Sequence, residues 1–269
     1  REGPKKKIAR ITTAPRITKT KRSEEIKIYG RRACEAAWKV RPNDIIRIYL
    51  DESMVKDFGD CLRFCAKRKI AYHVVPIEEL EKITESRHHE GVCFLVRRKV
   101  ELGPLDLIDA IKRIDRDQKI MMIYLDGISN PHNLGSIARL AAHFNINFLC
   151  GGADLPKLSG AATRVAEGGA EVISLCRFDS PEAIIKELKK MGFKVISTSS
   201  KKGASIFRFS FPKRVILVLG SEATGIRKEI GQLADSSVMI PGSGAVESLN
   251  VSSATGILLA EWWRQTNDI

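Results

Sequence analysis

Three polar, glycine-bearing stretches carry the side chains best suited to chemistry on a bound ligand. The first, Asp126-Gly127-Ile128-Ser129-Asn130-Pro131-His132-Asn133-Leu134-Gly135, ends one helical turn before Arg139. Asn133 can cap a helix or contact a ligand, Gly135 lets backbone approach closely, and Arg139 reaches the same anion-favouring helix start. The alternative is an Asn-capped helix with a surface Arg. The second, Gly220-Ser221-Glu222-Ala223-Thr224-Gly225, follows an apolar run over 215–219. It is no phosphate-cradling P-loop, because Ile226 stands where that motif needs Lys, and it is no dinucleotide fingerprint. Its glycines admit a flat ring against bare backbone, with Glu222 placed for polar contacts, or they form an ordinary strand-to-helix turn. The third runs from Ile240-Pro241-Gly242 to Ser248-Leu249-Asn250. Its length, rigid Pro and two glycines demand more backbone order than a connector needs, which points to a ligand loop; Ser248 or Asn250 acting only as helix caps is the alternative.

Apolar strands alternating with helices must position these loops. From residue 105 the pattern reads helix 105–114, strand 120–125, helix 136–144, strand 147–150, helix 181–191 and strands 194–199 and 215–219. A short helix after Gly225, a strand at 237–240 and a last helix over 251–265 complete it. Near-continuous apolar strands joined by helices predict a parallel α/β sheet covered on both faces, with ligands beyond the carboxyl ends of its strands. Residues 26–96 form a smaller α/β unit: helical patterning at 32–38 and 55–68, and apolar runs at 45–50, 71–75 and 92–96. The division expected is an arm over 1–23, a first unit over 24–97, a linker over 98–104 and a larger unit over 105–269.

Of the net charge of +13, residues 1–23 carry +8, from nine basic side chains against Glu2 alone. Such an arm, rich in Thr and Pro, is expected to order only on a polyanion, and nucleic acid is the natural partner; a solvated tail is the alternative. Lys67, Arg68 and Lys69 with Arg97, Arg98 and Lys99 offer either a basic RNA-facing patch or a solvated edge. His88 and His89 read as a polar turn that could touch RNA, and of Trp262 and Trp263 one belongs in the core while the other is free for a partner subunit. Six cysteines without a CxxC pair read as reduced core thiols of a cytoplasmic protein, with no metal site. No apolar run approaches the length of a membrane span, and no signal segment opens the chain, although Arg1 at its head leaves the natural start open.

In this order and at these separations the three stretches resemble the motifs of the SpoU class of the SPOUT RNA 2'-O-ribose methyltransferases. Asn133-x-Gly135-x-x-x-Arg139 is similar to the first, Gly220-x-Glu222-x-x-Gly225 to the second, and Ile240-Pro241 with Ser248-Leu249-Asn250 to the third. Ile28-Tyr29-Gly30 and Glu90-Gly91-Val92 give the first unit a likeness to the ribosomal L30-like substrate domain often fused to this class. The resemblance implies an α/β knot, its last strand and helix threaded through an earlier loop, and a homodimer. It implies S-adenosylmethionine held by Gly220, Ile240 and Leu249 largely through backbone atoms, with Thr198 beside them. It further implies a reacting centre of Asn133, Arg139, Glu222, Ser248 and Asn250. Ala223 and Gly242 depart from the usual motif residues at the wall of that pocket.

The reaction so implied is in-line attack of an RNA ribose 2'-hydroxyl on the sulfonium methyl. An Arg stays protonated at neutral pH and has no free lone pair to take the proton, so the expected part of Arg139, with Asn133, is to orient the hydroxyl or its phosphate and stabilise the developing oxyanion; Ser248 and Asn250 position donor or nucleotide. A catalytically idle RNA-binding or assembly factor is the alternative, against which the retained polar set argues. A nucleotide-dependent oxidoreductase fails because its glycine fingerprint should follow the first strand.

Overall fold

The computed structural model describes residues 24–267, so the basic arm lies outside the described residues. Strands β1 (Glu25–Tyr29), β2 (Ile45–Leu50), β3 (Ala71–Val74) and β4 (Val92–Arg97) form a four-stranded sheet in the order β1-β4-β2-β3. It is mixed: β4 runs antiparallel to β1 and β2, while β2 and β3 are parallel. Alternation sorts its side chains. Ile28, Ile48, Leu50 and Phe94 meet α1 (Arg31–Val40) and α2 (Gly59–Lys67) through Ala33, Cys34, Cys61 and Cys65. Tyr29, Tyr49 and Cys93 face the other way, onto Leu80 of α3 (Ile77–Thr84). All six cysteines are free and buried, and burial pushes the Cys93 thiol up to about 12, so these are packing residues.

The second sheet contains β5 (Ile120–Asp126), β6 (Phe148–Gly151), β7 (Ser174–Arg177), β8 (Lys194–Thr198), β9 (Ala204–Ser205), β10 (Arg214–Gly220) and β11 (Ser236–Met239). Its order is β7-β6-β5-β10-β8-β11-β9, and every pairing is parallel. Among the described residues seven helices accompany it: α4 (Pro104–Lys112), α5 (Pro131–His143), α6 (Gly160–Val165), α7 (Gly169–Val172), α8 (Pro181–Lys190), α9 (Lys228–Gly231) and α10 (Val251–Thr266). Met121, Ile123, Leu217 and Leu219 face α5 and α10, where Ile137, Ala138, Leu258, Leu259 and Trp262 close over them. Met122, Tyr124, Ile216 and Val218 face α4 and α8 through Leu107, Ile111, Ile185 and Leu188. Burying such a side chain stabilises by about 1.5 to 3 kcal/mol, so both faces must be covered.

The main departures from the sequence pattern have local causes. Helix α5 begins at Pro131 instead of 136, because the Asn130 side chain accepts the His132 N–H at 2.8 Å and Pro131 takes the first helical position. Short α6 and α7, broken by Gly168, and short β7 lacked any sustained period. Trp262 is core and Trp263 is half-buried beside Phe144.

The two units meet along α1, β1, α6 and α7. Buried Glu171 of α7 accepts two hydrogen bonds from Arg41, at 2.6 and 3.0 Å. Lys99 donates to the carbonyls of Ala170, Glu171 and Ile173, and Arg98 to those of Leu158 and Glu25. Arg98 and Lys99 therefore serve the junction and not an RNA-facing patch. Arg68 and Arg97 are drawn together on Asn43, through its side-chain and main-chain oxygens.

Candidate functional site

The first two loops leave the adjacent strands β5 and β10 of the parallel sheet, and the third leaves β11, with β8 between it and β10. Gly220 ends β10 opposite Asp126 of β5, and on its other side lie β8 and then β11, which end in Thr198 and Met239. Thr198 is tied down by its hydroxyl, which donates to the Val218 carbonyl at 2.9 Å. The turn after Gly220 is closed by paired backbone hydrogen bonds between Ser221 and Gly225. Arg227 then fastens it to the first loop: its backbone N–H and its Nε donate to the two oxygens of Asp126, at 2.6 and 2.7 Å. The Asp126 side chain is fully buried, and its hydrogen bond holds the Arg227 guanidinium well above its ordinary pKa. This clamp was not singled out in the sequence; an Asp closing an apolar strand just before Gly127 was the available signal.

At the mouth, one carboxylate oxygen gathers all three loops. Glu222 Oε1 accepts from Asn250 Nδ2 at 2.7 Å, from the Val251 N–H at 3.2 Å and from Asn133 Nδ2 at 3.3 Å. Asn250 Nδ2 also reaches Asn133 Oδ1 at 3.3 Å, while its Oδ1 caps α10 by accepting from Ser252 and Ser253 N–H. Asn250 is thus a cap that also binds the other two loops. Among the described residues Glu222 Oε2 has no hydrogen-bond partner, and no hydrogen bond ties Ser248 to the cluster.

Arg139 occupies a separate station. It lies six residues beyond Asn133 on α5, about 9 Å along the axis and turned away by about a third of a revolution. Its guanidinium is half exposed and 3.0 Å from Glu167 Oε1. Gly135 serves packing instead of ligand approach: inside α5, a Cβ there would stand 2.5 Å from the Ala162 carbonyl oxygen. His89 is buried, its Nδ1 accepting the Gly91 N–H, while His88 is exposed.

Thr198, Gly220 and Met239 close three strands of the sheet on the side from which the third loop departs. Ile240 packs against the core, whereas Leu249 and Val246 are exposed apolar side chains on an otherwise polar loop. Nothing lies within 4 Å of where side chains at Gly242 or Gly244 would begin. Lys201 and Glu247, 2.7 Å apart, link the loop after β8 to this third loop. Backbone at three strand ends and apolar walls on a glycine-bearing loop suit an adenosine-bearing donor.

Known proteins resemble this chain in sequence and in fold. Residues 120–260 match the SpoU rRNA Methylase family, and residues 27–101 match the domain described as RNA 2'-O ribose methyltransferase substrate binding. YfiF of Escherichia coli O157:H7, an uncharacterized tRNA/rRNA methyltransferase, is 37% identical over 251 residues, covering 93% of this chain and 71% of its own. The 23S rRNA (guanosine-2'-O-)-methyltransferase RlmB of Neisseria meningitidis is 27% identical, covering 88% of this chain and 94% of its own. In fold, the chain matches AviRb of Streptomyces viridochromogenes, a SpoU methyltransferase in complex with the cofactor AdoMet. The TM-score is 0.75 at 20% identity, covering 93% of both chains.

Proposed function

The chain belongs to the SpoU rRNA methylase family, and from that premise we propose that its three-loop cluster performs S-adenosylmethionine-dependent methylation of a ribose 2'-hydroxyl in structured RNA. The observation that carries this reading is Glu222 Oε1, which draws Asn133, Asn250 and the start of α10 to one point. When bound, S-adenosylmethionine supplies an already activated methyl group, so the protein's task is alignment and charge stabilisation. Thr198, Gly220, Ile240 and Leu249 hold the donor at the strand ends. Glu222, Asn133 and Asn250 fix the relative positions of the loops. Arg139 presents guanidinium N–H groups to the ribose oxygen or its neighbouring phosphate as negative charge develops, and Ser248 on the third loop positions donor or nucleotide.

The four-stranded unit over 24–97 binds the RNA, the larger unit over 105–269 carries the reaction, and residues 98–104 join them. The active form is a homodimer in the cytoplasm; exposed Leu249 and Val246 are surface that a second subunit can cover. Among the described residues no helix is long and apolar enough to cross a membrane. Likeness to a 23S rRNA enzyme makes large-subunit rRNA the first substrate to try, with tRNA second. The test is incubation of wild type and Arg139→Ala with labelled S-adenosylmethionine and each RNA fraction from cells lacking the protein. Wild type should label one fraction, and Arg139→Ala should label it at least about a hundredfold more slowly. Turnover by the variant within a few-fold of wild type would remove Arg139 from the mechanism.

A further inference from the structure

Glu167 stands on the seam between the two units, outside all three loops, and its carboxylate serves two arginines at once. Oε1 lies 3.0 Å from a terminal nitrogen of Arg139 on α5, and Oε2 accepts a 2.7 Å hydrogen bond from Arg32 on α1. The backbone that places it there is unusual. Glu167 has a φ of +44°, a left-handed conformation that side-chain-bearing residues seldom adopt, and Gly168 follows at +92°. Gly or Asn would fit that turn more readily, so the turn alone does not explain a carboxylate at this position.

The surroundings make the turn a wedge. A Cβ on Gly168 would stand 2.8 Å from Ala36 Cβ of α1, and one on Gly169 would stand 2.9 Å from the Arg139 Cα. One short turn is therefore pressed against both the substrate-binding unit and the helix that carries Arg139. Stability is a poor explanation for the ion pairs, because the Arg139 and Arg32 side chains are 53% and 69% exposed and such surface pairs contribute little. Orientation is a better one. An Arg side chain is long and mobile, and a guanidinium drawn to a carboxylate at one terminal nitrogen is confined to one neighbourhood while its remaining N–H donors stay available.

We infer that Glu167 is the positioning residue for Arg139, and that through Arg32 it makes the placement of that guanidinium depend on the docked substrate-binding unit. The inference rests on the reading of Arg139 as the group that stabilises the reacting oxygen. Glu167 touches no reacting atom itself. It orients the cation in advance and keeps two like charges close enough to face one RNA backbone.

The test is steady-state methyl transfer, with labelled S-adenosylmethionine and RNA from cells lacking the protein, by Glu167→Gln, Arg32→Gln, Arg139→Ala and the Glu167→Gln/Arg139→Ala double variant. Glu167→Gln should lower kcat about tenfold or more, with KM for RNA within about threefold and donor binding and Tm unchanged, because only the aim of Arg139 is lost. The double variant should be no slower than Arg139→Ala alone, since both changes remove one function. Arg32→Gln should lower kcat by less, in the same manner. A wild-type kcat for Glu167→Gln beside an inactive Arg139→Ala overturns this inference alone, as do losses that multiply in the double variant. Arg139→Ala at near wild-type turnover overturns the catalytic reading, and this inference with it.

Discussion

Glu222 and Asn250 come from loops after different strands, and the Asn250 side-chain amide donates to the Glu222 carboxylate across 2.7 Å. The same Asn250 caps α10 with its oxygen, so the start of the final helix and the shape of the site are fixed by one side chain. Asn250→Asp should separate these duties. It keeps an acceptor for the cap but loses the donor and sets a like charge against Glu222. Transfer should fall by at least about a hundredfold. Helix content by circular dichroism should stay unchanged. Asn250→Ala should also lose about 1 kcal/mol of stability in urea unfolding, through the cap.

The Asp126–Arg227 clamp predicts an asymmetric stability effect. Arg227→Ala leaves a fully buried carboxylate with only the backbone N–H for support, which should cost about 2 to 3 kcal/mol in urea unfolding. Adding Asp126→Asn removes the stranded charge, so the double variant should be more stable than Arg227→Ala alone.

Gly135→Ala distinguishes a packing glycine from a ligand glycine. Overpacking against the Ala162 carbonyl should cost about 1 to 3 kcal/mol, by forcing α5 and α6 apart. Calorimetric titration with S-adenosylmethionine should give unchanged donor affinity for the folded protein.

Acid should weaken the docking of α10 in a defined window. Hydrogen bonds from Arg264 and Gln265 lower the Glu261 pKa from 4.5 to about 2. Gln265 in turn holds the chain at Phe209 and Phe211. A carboxylate with a depressed folded pKa stabilises above its ordinary value and loses that contribution as pH falls through the folded one. The stability advantage of wild type over Glu261→Gln should therefore be full above about pH 5 and vanish towards pH 2. Thermal unfolding across that range measures it.

Much of this site was legible because its loops sit at the ends of apolar strands, where Gly, Pro and lone polar residues stand out. That Asn133, Glu222 and Asn250 meet came from the motif resemblance, since spacing alone left each of them as an ordinary cap or turn. Helix α5 starts at Pro131, five residues before Ser136, because the cap, Asn130 ahead of Pro131, lies inside a polar stretch that reads as loop. The duties of Arg98, Lys99 and Glu167 had no sequence signal. Each depends on how two separately patterned units press together, and a charge that serves a junction reads the same as a charge that serves solvent.

The central claim is that these loops direct a methyl group to a ribose oxygen, and nucleoside mass spectrometry of reacted RNA tests it most directly. RNA from cells lacking the protein, treated with the protein and isotopically labelled S-adenosylmethionine, should yield one labelled 2'-O-methyl nucleoside at a single mapped position. Label on a base carbon or nitrogen would contradict the account.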